Sequence, residues 1–203
     1  MNLRELFPAR LSATSEMTDV IVDCETTGTD PYHNGMIQLA AIKFNYDTEE
    51  IGGVFNRSLV LPPNRYWSES TRQWWGQQRP GLLQEIMAKE EDAQDVIRAY
   101  HQFIGAEGQP LRFWSRGSFD FWFVQSYMDQ FGLPMPHQFW KARDTRSFLA
   151  ALHGTADEPD LSWVTAPGDA HNALRDNVVE LKRLFNAKHG VFYEILPPEE
   201  NAA

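Results

Sequence analysis

Cysteine is almost missing from this chain: Cys24 is the only one in 203 residues. A single thiol excludes an internal disulfide and every zinc pattern built on clustered cysteines. With no histidine beside it in the sequence, Cys24 reads as a small buried residue rather than a nucleophile. Long apolar runs are missing too, since no stretch reaches the ~20 residues that cross a bilayer. The first 17 residues lack the apolar core of a signal peptide, so a cytoplasmic protein with no membrane partner is expected. Positive charge is scarce, with 18 Lys and Arg against 28 Asp and Glu and a net charge of −10. That balance excludes a protein that coats nucleic acid through bulk electrostatics. It leaves open a site that grips one strand end, and 13 of the 18 basic residues are Arg, the better phosphate fork. Internal repeats and low-complexity segments are absent.

What is present suits one packed domain: 42% hydrophobic residues, 13% aromatics and seven Trp. Residues 1–17 read as an extension with a short helical piece around Leu3, Leu6 and Phe7, residues 18–190 as the domain, and residues 191–203 as a tail, disordered from Pro197. Strands are predicted at Val20–Val22, Met36–Phe44 and Gly53–Leu61, joined by short turns as an antiparallel meander. Helices follow at Ser70–Trp75, Pro80–Met87, Asp92–Ile104 and Phe119–Phe131, with a buried strand at Leu111–Ser115 between the last two. Phe139–Ala142 reads as a fifth strand, and Asp144 as the N-cap of a helix to His153. The last helix is predicted over Ala170–Lys188, with Leu174, Val178, Leu181 and Phe185 as its core stripe. Early strands followed by alternating helices and strands indicate an α/β fold with a mixed sheet. That order is the order of the ribonuclease H-like fold.

The chemistry starts at the end of the first strand, Asp23-Cys24-Glu25-Thr26-Thr27-Gly28. Strand side chains alternate, so Asp23 and Glu25 share one face and Cys24 takes the other. Paired carboxylates repel each other, and a divalent cation reverses that penalty. The plain alternative for an isolated D-x-E is a solvated strand end. Asp120 is the second clue, because Phe123, Val124, Tyr127 and Phe131 put it in line with an apolar face. A bare charge there costs several kcal/mol, on the order given for desolvated ions. Helix-start chemistry is the competing reading of Asp120. The third clue is His171-Asn172-Ala173-Leu174-Arg175-Asp176. Five residues lie about 140° apart on a helix, so His171 and Asp176 converge only if the His sits in the loop or first turn.

Taken together these motifs resemble the DEDDh branch of the DnaQ-like 3′→5′ exonucleases. Ser70-Thr71-Arg72-Gln73-Trp74-Trp75, Arg116-Gly117-Ser118-Phe119-Asp120-Phe121, and Phe139-Trp140 with Arg143-Asp144-Thr145-Arg146 are similar to the DexA-like exonucleases of phage and to related mycobacterial 3′-exoribonucleases. The resemblance spans about residues 18–188. It implies a ribonuclease H-like fold with a five-stranded mixed sheet flanked by helices, in a bacterial or phage-infected cell.

The resemblance also implies the reaction: metal-dependent hydrolysis of single-stranded DNA or RNA from a free 3′ end to nucleoside 5′-monophosphates. Asp23, Glu25, Asp120 and Asp176 are then ligands of two divalent cations, Mg²⁺ or Mn²⁺, since oxygen donors without thiolates suit those ions. His171 is the general base. Thr26 and Thr27 are expected at the terminal nucleotide and Arg116 at a phosphate, with a structural ion pair as the alternative for Arg116. Trp74 is favoured over Trp75 to line the groove for a base, because neighbours on a helix point about 100° apart. Two other readings share these residues: an exoribonuclease restricted to short oligonucleotides, and a silent interaction module on the same fold. No ligand position is missing, which weighs against the module.

Overall fold

The strand expected around Val20 is the axis of the molecule. The computed structural model describes Phe7 and residues 16–193. In it β1 (Asp19–Thr26) pairs antiparallel with β2 (Met36–Asn45), and β2 pairs antiparallel with β3 (Glu50–Leu59). A two-residue strand, β4 (Glu90–Glu91), lies parallel to the far edge of β3. On its other side β1 pairs in parallel with β5 (Arg112–Ser115), and β5 with β6 (Ala142–Asp144). The sheet order is β4-β3-β2-β1-β5-β6.

This is the expected mixed sheet with six strands rather than five. Two residues carry no period-two signal, so β4 is invisible to pattern reading. The strand expected at Phe139–Ala142 is displaced: Phe139–Lys141 form a 3₁₀ turn, closed by the Lys141 N–H donating to the Gln138 carbonyl at 2.8 Å, and the strand begins only at Ala142. Phe139 and Trp140 look like strand residues by type, but both are exposed and bury nothing against the sheet.

Six α-helices cover the faces: α1 (Glu69–Gly76), α2 (Leu82–Met87), α3 (Ala93–Gly105), α4 (Phe119–Phe131), α5 (Thr145–His153) and α6 (Ala173–Lys188). The alternation in β1 divides the core. Val20, Val22 and Cys24 face α3 and α4, meeting Ile97, Tyr100, Phe123 and Tyr127. Ile21 faces the other way, toward Val178, Leu181 and Phe185 of α6, with Leu174 at the edge of that stripe. Each such apolar side chain contributes ~1.5–3 kcal/mol on burial, so the hand of β1 is firmly set. A one-residue slip would swap both layers. A smaller cluster of Ile37, Trp75, Leu82 and Ile86 seats α1 and α2 on the sheet.

Of the N-terminal extension, Phe7 is buried edge-on against Phe185, with ring centroids 6.4 Å apart. The helical piece expected there, Leu3 and Leu6 included, and the tail from Pro197 lie outside the described residues. No helix among the described residues is long and apolar enough to cross a membrane.

Candidate functional site

The alternation that buries Ile21 toward α6 also turns Asp23 and Glu25 toward that helix, and Asp176 in its first turn meets them. Ligand oxygens of Asp23, Glu25 and Asp176 all lie within 4.8 Å of one another. The last helix starts at Ala173, not Ala170, because His171 adopts φ 63° and Asn172 caps the helix by accepting from the Arg175 N–H. That left-handed turn settles the convergence of His171 and Asp176. The backbone N–H of His171 donates to Asp176 Oδ2 at 2.9 Å, which folds the histidine back over the carboxylate. Arg175 Nη1 holds the other oxygen at 2.8 Å.

Asp120 arrives from the opposite layer. Gly117, at φ 88°, makes the turn from β5 into α4, and its N–H donates to Asp144 Oδ1 at 2.8 Å. Asp144 also caps α5 through the Arg146 and Ser147 N–H groups, so it serves structure at both ends. Asp120 is buried, as its apolar neighbours imply, and its Oδ1 accepts from the Cys24 N–H at 3.0 Å and from Cys24 Sγ at 3.2 Å. Asp120 stands outside the 4.8 Å group of three, but it shares with Asp23 a cavity of about 640 Å³.

The electrostatics are those of crowded anions. Burial pushes Asp23 well above the usual carboxylate range, and Asp120, Glu25 and Asp176 push it further. Burial, then Asp176 and Asp120, raise Glu25 to about 8. Asp120 rises to about 6 through burial, held back by its bonds from Cys24 and by Arg146. Such a set of oxygen donors fits hard divalent cations, whose charge removes the repulsion. The Cys24 thiol is pushed up by burial and by Asp120, so it stays protonated as a donor and is no ligand.

The residues expected to touch substrate divide. Trp74 is 38% exposed, and its ring meets His171, whereas Trp75 is buried and donates from Nε1 to the Thr26 carbonyl at 3.1 Å. Thr26 is buried and donates to the Gly28 carbonyl. Thr27 is fully buried, its hydroxyl donating to the Tyr66 carbonyl and accepting from the Gly35 N–H, so that side chain serves the turn. Arg116 lines the cavity with Asp23 but is forked onto Glu158 at 2.6 and 2.7 Å and reaches Glu180 at 3.1 Å. These are ion pairs within the fold, as the alternative reading of Arg116 has it. Three residues escaped the sequence reading: Arg146 in the cavity wall, Arg175 on Asp176, and buried Glu180, which gathers Arg116, Arg183 and the Thr145 hydroxyl. Arg175 neighbours Asp176 and Arg183 lies one turn from Glu180, but Glu180 meets Arg116 and Thr145 from 64 and 35 residues away, and no spacing marks those contacts.

Comparison with known proteins agrees with this geometry. The profile of the 3′-5′ exoribonuclease Rv2179c-like domain matches residues 18–185. An exodeoxyribonuclease of Enterobacteria phage T4 is 28% identical over 218 residues, covering 91% of this chain and 95% of its own. Among solved structures, E. coli exonuclease I in complex with a dA16 oligonucleotide superposes with a TM-score of 0.61 at 15% identity, over 85% of this chain and 41% of its own. The cell-death related nuclease 4 (CRN-4) gives 0.62 at 17% identity, over 84% and 63%. The chain thus spans less than half the length of exonuclease I, and these structures speak for the fold, which is ribonuclease H-like. The family match covers most of the chain: it belongs to the Rv2179c-like 3′-5′ exoribonuclease domain family and is a 3′→5′ exonuclease of the DnaQ-like group.

Proposed function

We propose that this exonuclease removes nucleoside 5′-monophosphates from the free 3′ end of single-stranded nucleic acid, using divalent cations held by Asp23, Glu25, Asp120 and Asp176. The observation that carries the reading is the meeting of Asp23, Glu25 and Asp176 oxygens within 4.8 Å beside His171. Mg²⁺ or Mn²⁺ bound there supplies charge for the scissile phosphate, an activated water and a stabilised leaving oxygen. The chain's own groups do the rest. His171 takes a proton from the attacking water, the usual work of an imidazole near neutral pH. No side-chain hydrogen bond among the described residues ties down its ring, which leaves the imidazole able to meet that water. Cys24 fixes the rotamer of Asp120 through two donors, so that carboxylate faces the cavity in one orientation. Thr26 stands at the strand end beside Glu25, where the terminal nucleotide is received.

The names of the relatives divide between RNA and DNA, so the test uses matched strands of both. Oligonucleotides labelled at the 5′ end, single-stranded and duplex, are incubated with Mg²⁺ or Mn²⁺ and the products resolved by length. The expected result is a ladder shortened one nucleotide at a time from the 3′ side. Early release of the labelled 5′ nucleotide, or cutting of a closed single-stranded circle, would overturn the reading.

A further inference from the structure

The chain exposes an uncommon set of large aromatics around the N-terminus of α4. Trp122 is 49% exposed, and on the neighbouring 3₁₀ turn Phe139 is 73% and Trp140 61% exposed. None of these faces is needed for the core. Trp122 stands on a divide. On one side is the carboxylate cavity, with Asp23, Asp120 and Arg146 in its wall. On the other is a mostly apolar groove of about 380 Å³, walled by Phe121, Trp122, Phe139 and Arg143, with Asp144 at its edge engaged by the Gly117, Arg146 and Ser147 N–H groups. Gly117, Ser118 and Trp122 line both, so the groove continues directly out of the catalytic cavity.

Charge follows the same track. Arg146 is exposed in the cavity, and Arg143 lies in the groove with its Nη1 donating only to the Trp140 and Ala142 carbonyls. Neither arginine is within salt-bridge distance of a carboxylate among the described residues. On a chain of net charge −10, two arginines without a salt bridge beside an acidic centre mark where an anion runs, with Arg146 also offsetting the charge of Asp120. Flat aromatic faces alternating with guanidinium groups match a strand that alternates bases with phosphates.

We propose that this groove is a second subsite of the nuclease, taking the second base upstream of the scissile bond, unpaired, between Trp122 and Phe139, with Arg146 at the phosphate that links it to the first. The proposal rests on the exonuclease reading above and adds to it a reason for single-strand preference and a length requirement. A base enters between two rings only when its faces are free, so the subsite selects single strands and disfavours paired ends. It also makes the enzyme sensitive to substrate length, because a dinucleotide does not reach the groove.

The experiment compares KM for a dinucleotide and for a hexanucleotide of the better-cleaved sugar type, in wild type, Trp122→Ala and Phe139→Ala. Stacking on one aromatic is worth about 1–3 kcal/mol, so the wild-type preference for the hexamer should fall roughly tenfold in each variant. Both side chains are exposed, and melting curves check that each variant folds; Phe139→Ala alone suffices if Trp122→Ala does not. Fluorescence anisotropy of a labelled hexamer in Ca²⁺ reads the groove without turnover, with the same loss expected. A wild type that cleaves no strand but binds the hexamer through Trp122 and Phe139 would refute the exonuclease reading while keeping the groove. Variants that retain both the length preference and the affinity overturn the subsite. Variants that change only the sedimentation of the protein also overturn it, and make this face an interface between copies.

Discussion

The ring of Trp74 meets the imidazole of His171 edge-on, with centroids 4.6 Å apart and planes 76° apart. Four residues further along the chain from that Trp lies Gln78, and just beyond it Arg79 pairs with Asp169, two residues before His171. Helix α1 and the turn after it thereby brace the loop that carries the histidine. The expectation that Trp74 and Trp75 serve different surfaces holds, but the first contact of Trp74 is His171.

Trp74→Ala should therefore lower kcat as well as raise KM, whereas a pure base platform would move KM alone. Trp74→Phe should restore most of kcat. Trp75→Ala should instead destabilise the fold by about 3–5 kcal/mol, the range for buried Trp truncation. Steady-state kinetics and thermal melts on the three variants separate these roles. An unchanged kcat in Trp74→Ala would show that the brace does not matter.

Replacing His171 by Asn is the sharper test of the base. Asn tolerates the left-handed φ that His171 adopts, so the loop keeps its shape. Turnover should fall ~10²–10⁴-fold, the usual range for a general base, while the stabilisation conferred by Mn²⁺ persists. Wild-type rates in this variant at neutral pH would remove His171 from the mechanism.

Asp23→Asn should abolish turnover and yet raise the melting temperature of the metal-free protein, since it deletes one of the mutually repelling anions. Mg²⁺ should no longer stabilise the variant. A melting temperature lowered in EDTA would mean that Asp23 contributes more through its contacts than it costs in repulsion.

The same crowding makes stability depend on pH. Glu25 stands at about 8 and Asp120 at about 6, both above their unfolded values. A carboxyl raised in the native state holds its proton more tightly there than in the unfolded chain. Its stabilisation is complete below the unfolded value, near pH 4, and is lost as pH rises through about 6 to 8. The metal-free protein should thus melt higher at about pH 5 than at about pH 8.5. Mg²⁺, which favours the ionised forms, should add more at the higher pH. Equal metal-induced shifts at both pH values would contradict this account.

The sequence was informative where one local rule decides the outcome. Period two put Asp23 and Glu25 on one face, and an apolar stripe placed Asp120 at the core. Asp144 read correctly as a cap because capping is local. Asp176 was reached through its motif and the family resemblance rather than through periodicity, because its meeting with His171 needs a left-handed residue that no periodicity announces. Phe139 and Trp140 were misleading for the opposite reason, since their strand-forming character is used on the surface. The partners of Arg116 lie 42 and 64 residues away, and no motif carries such a pairing. Thr27 was expected at the terminal nucleotide, but its hydroxyl is spent on closing the turn at Tyr66 and Gly35.

The group of three carboxylates draws on positions 23, 25 and 176, with the last supplied by the final described helix. A chain that has formed β1 but not yet α6 thus holds Asp23 and Glu25 without their third carboxylate. Only docking of α6 brings Asp176 to Asp23 and Glu25, so the carboxylate group and the native topology arrive in the same step. The three anions repel one another only once the helix has docked, so their electrostatic strain is a property of the finished fold alone.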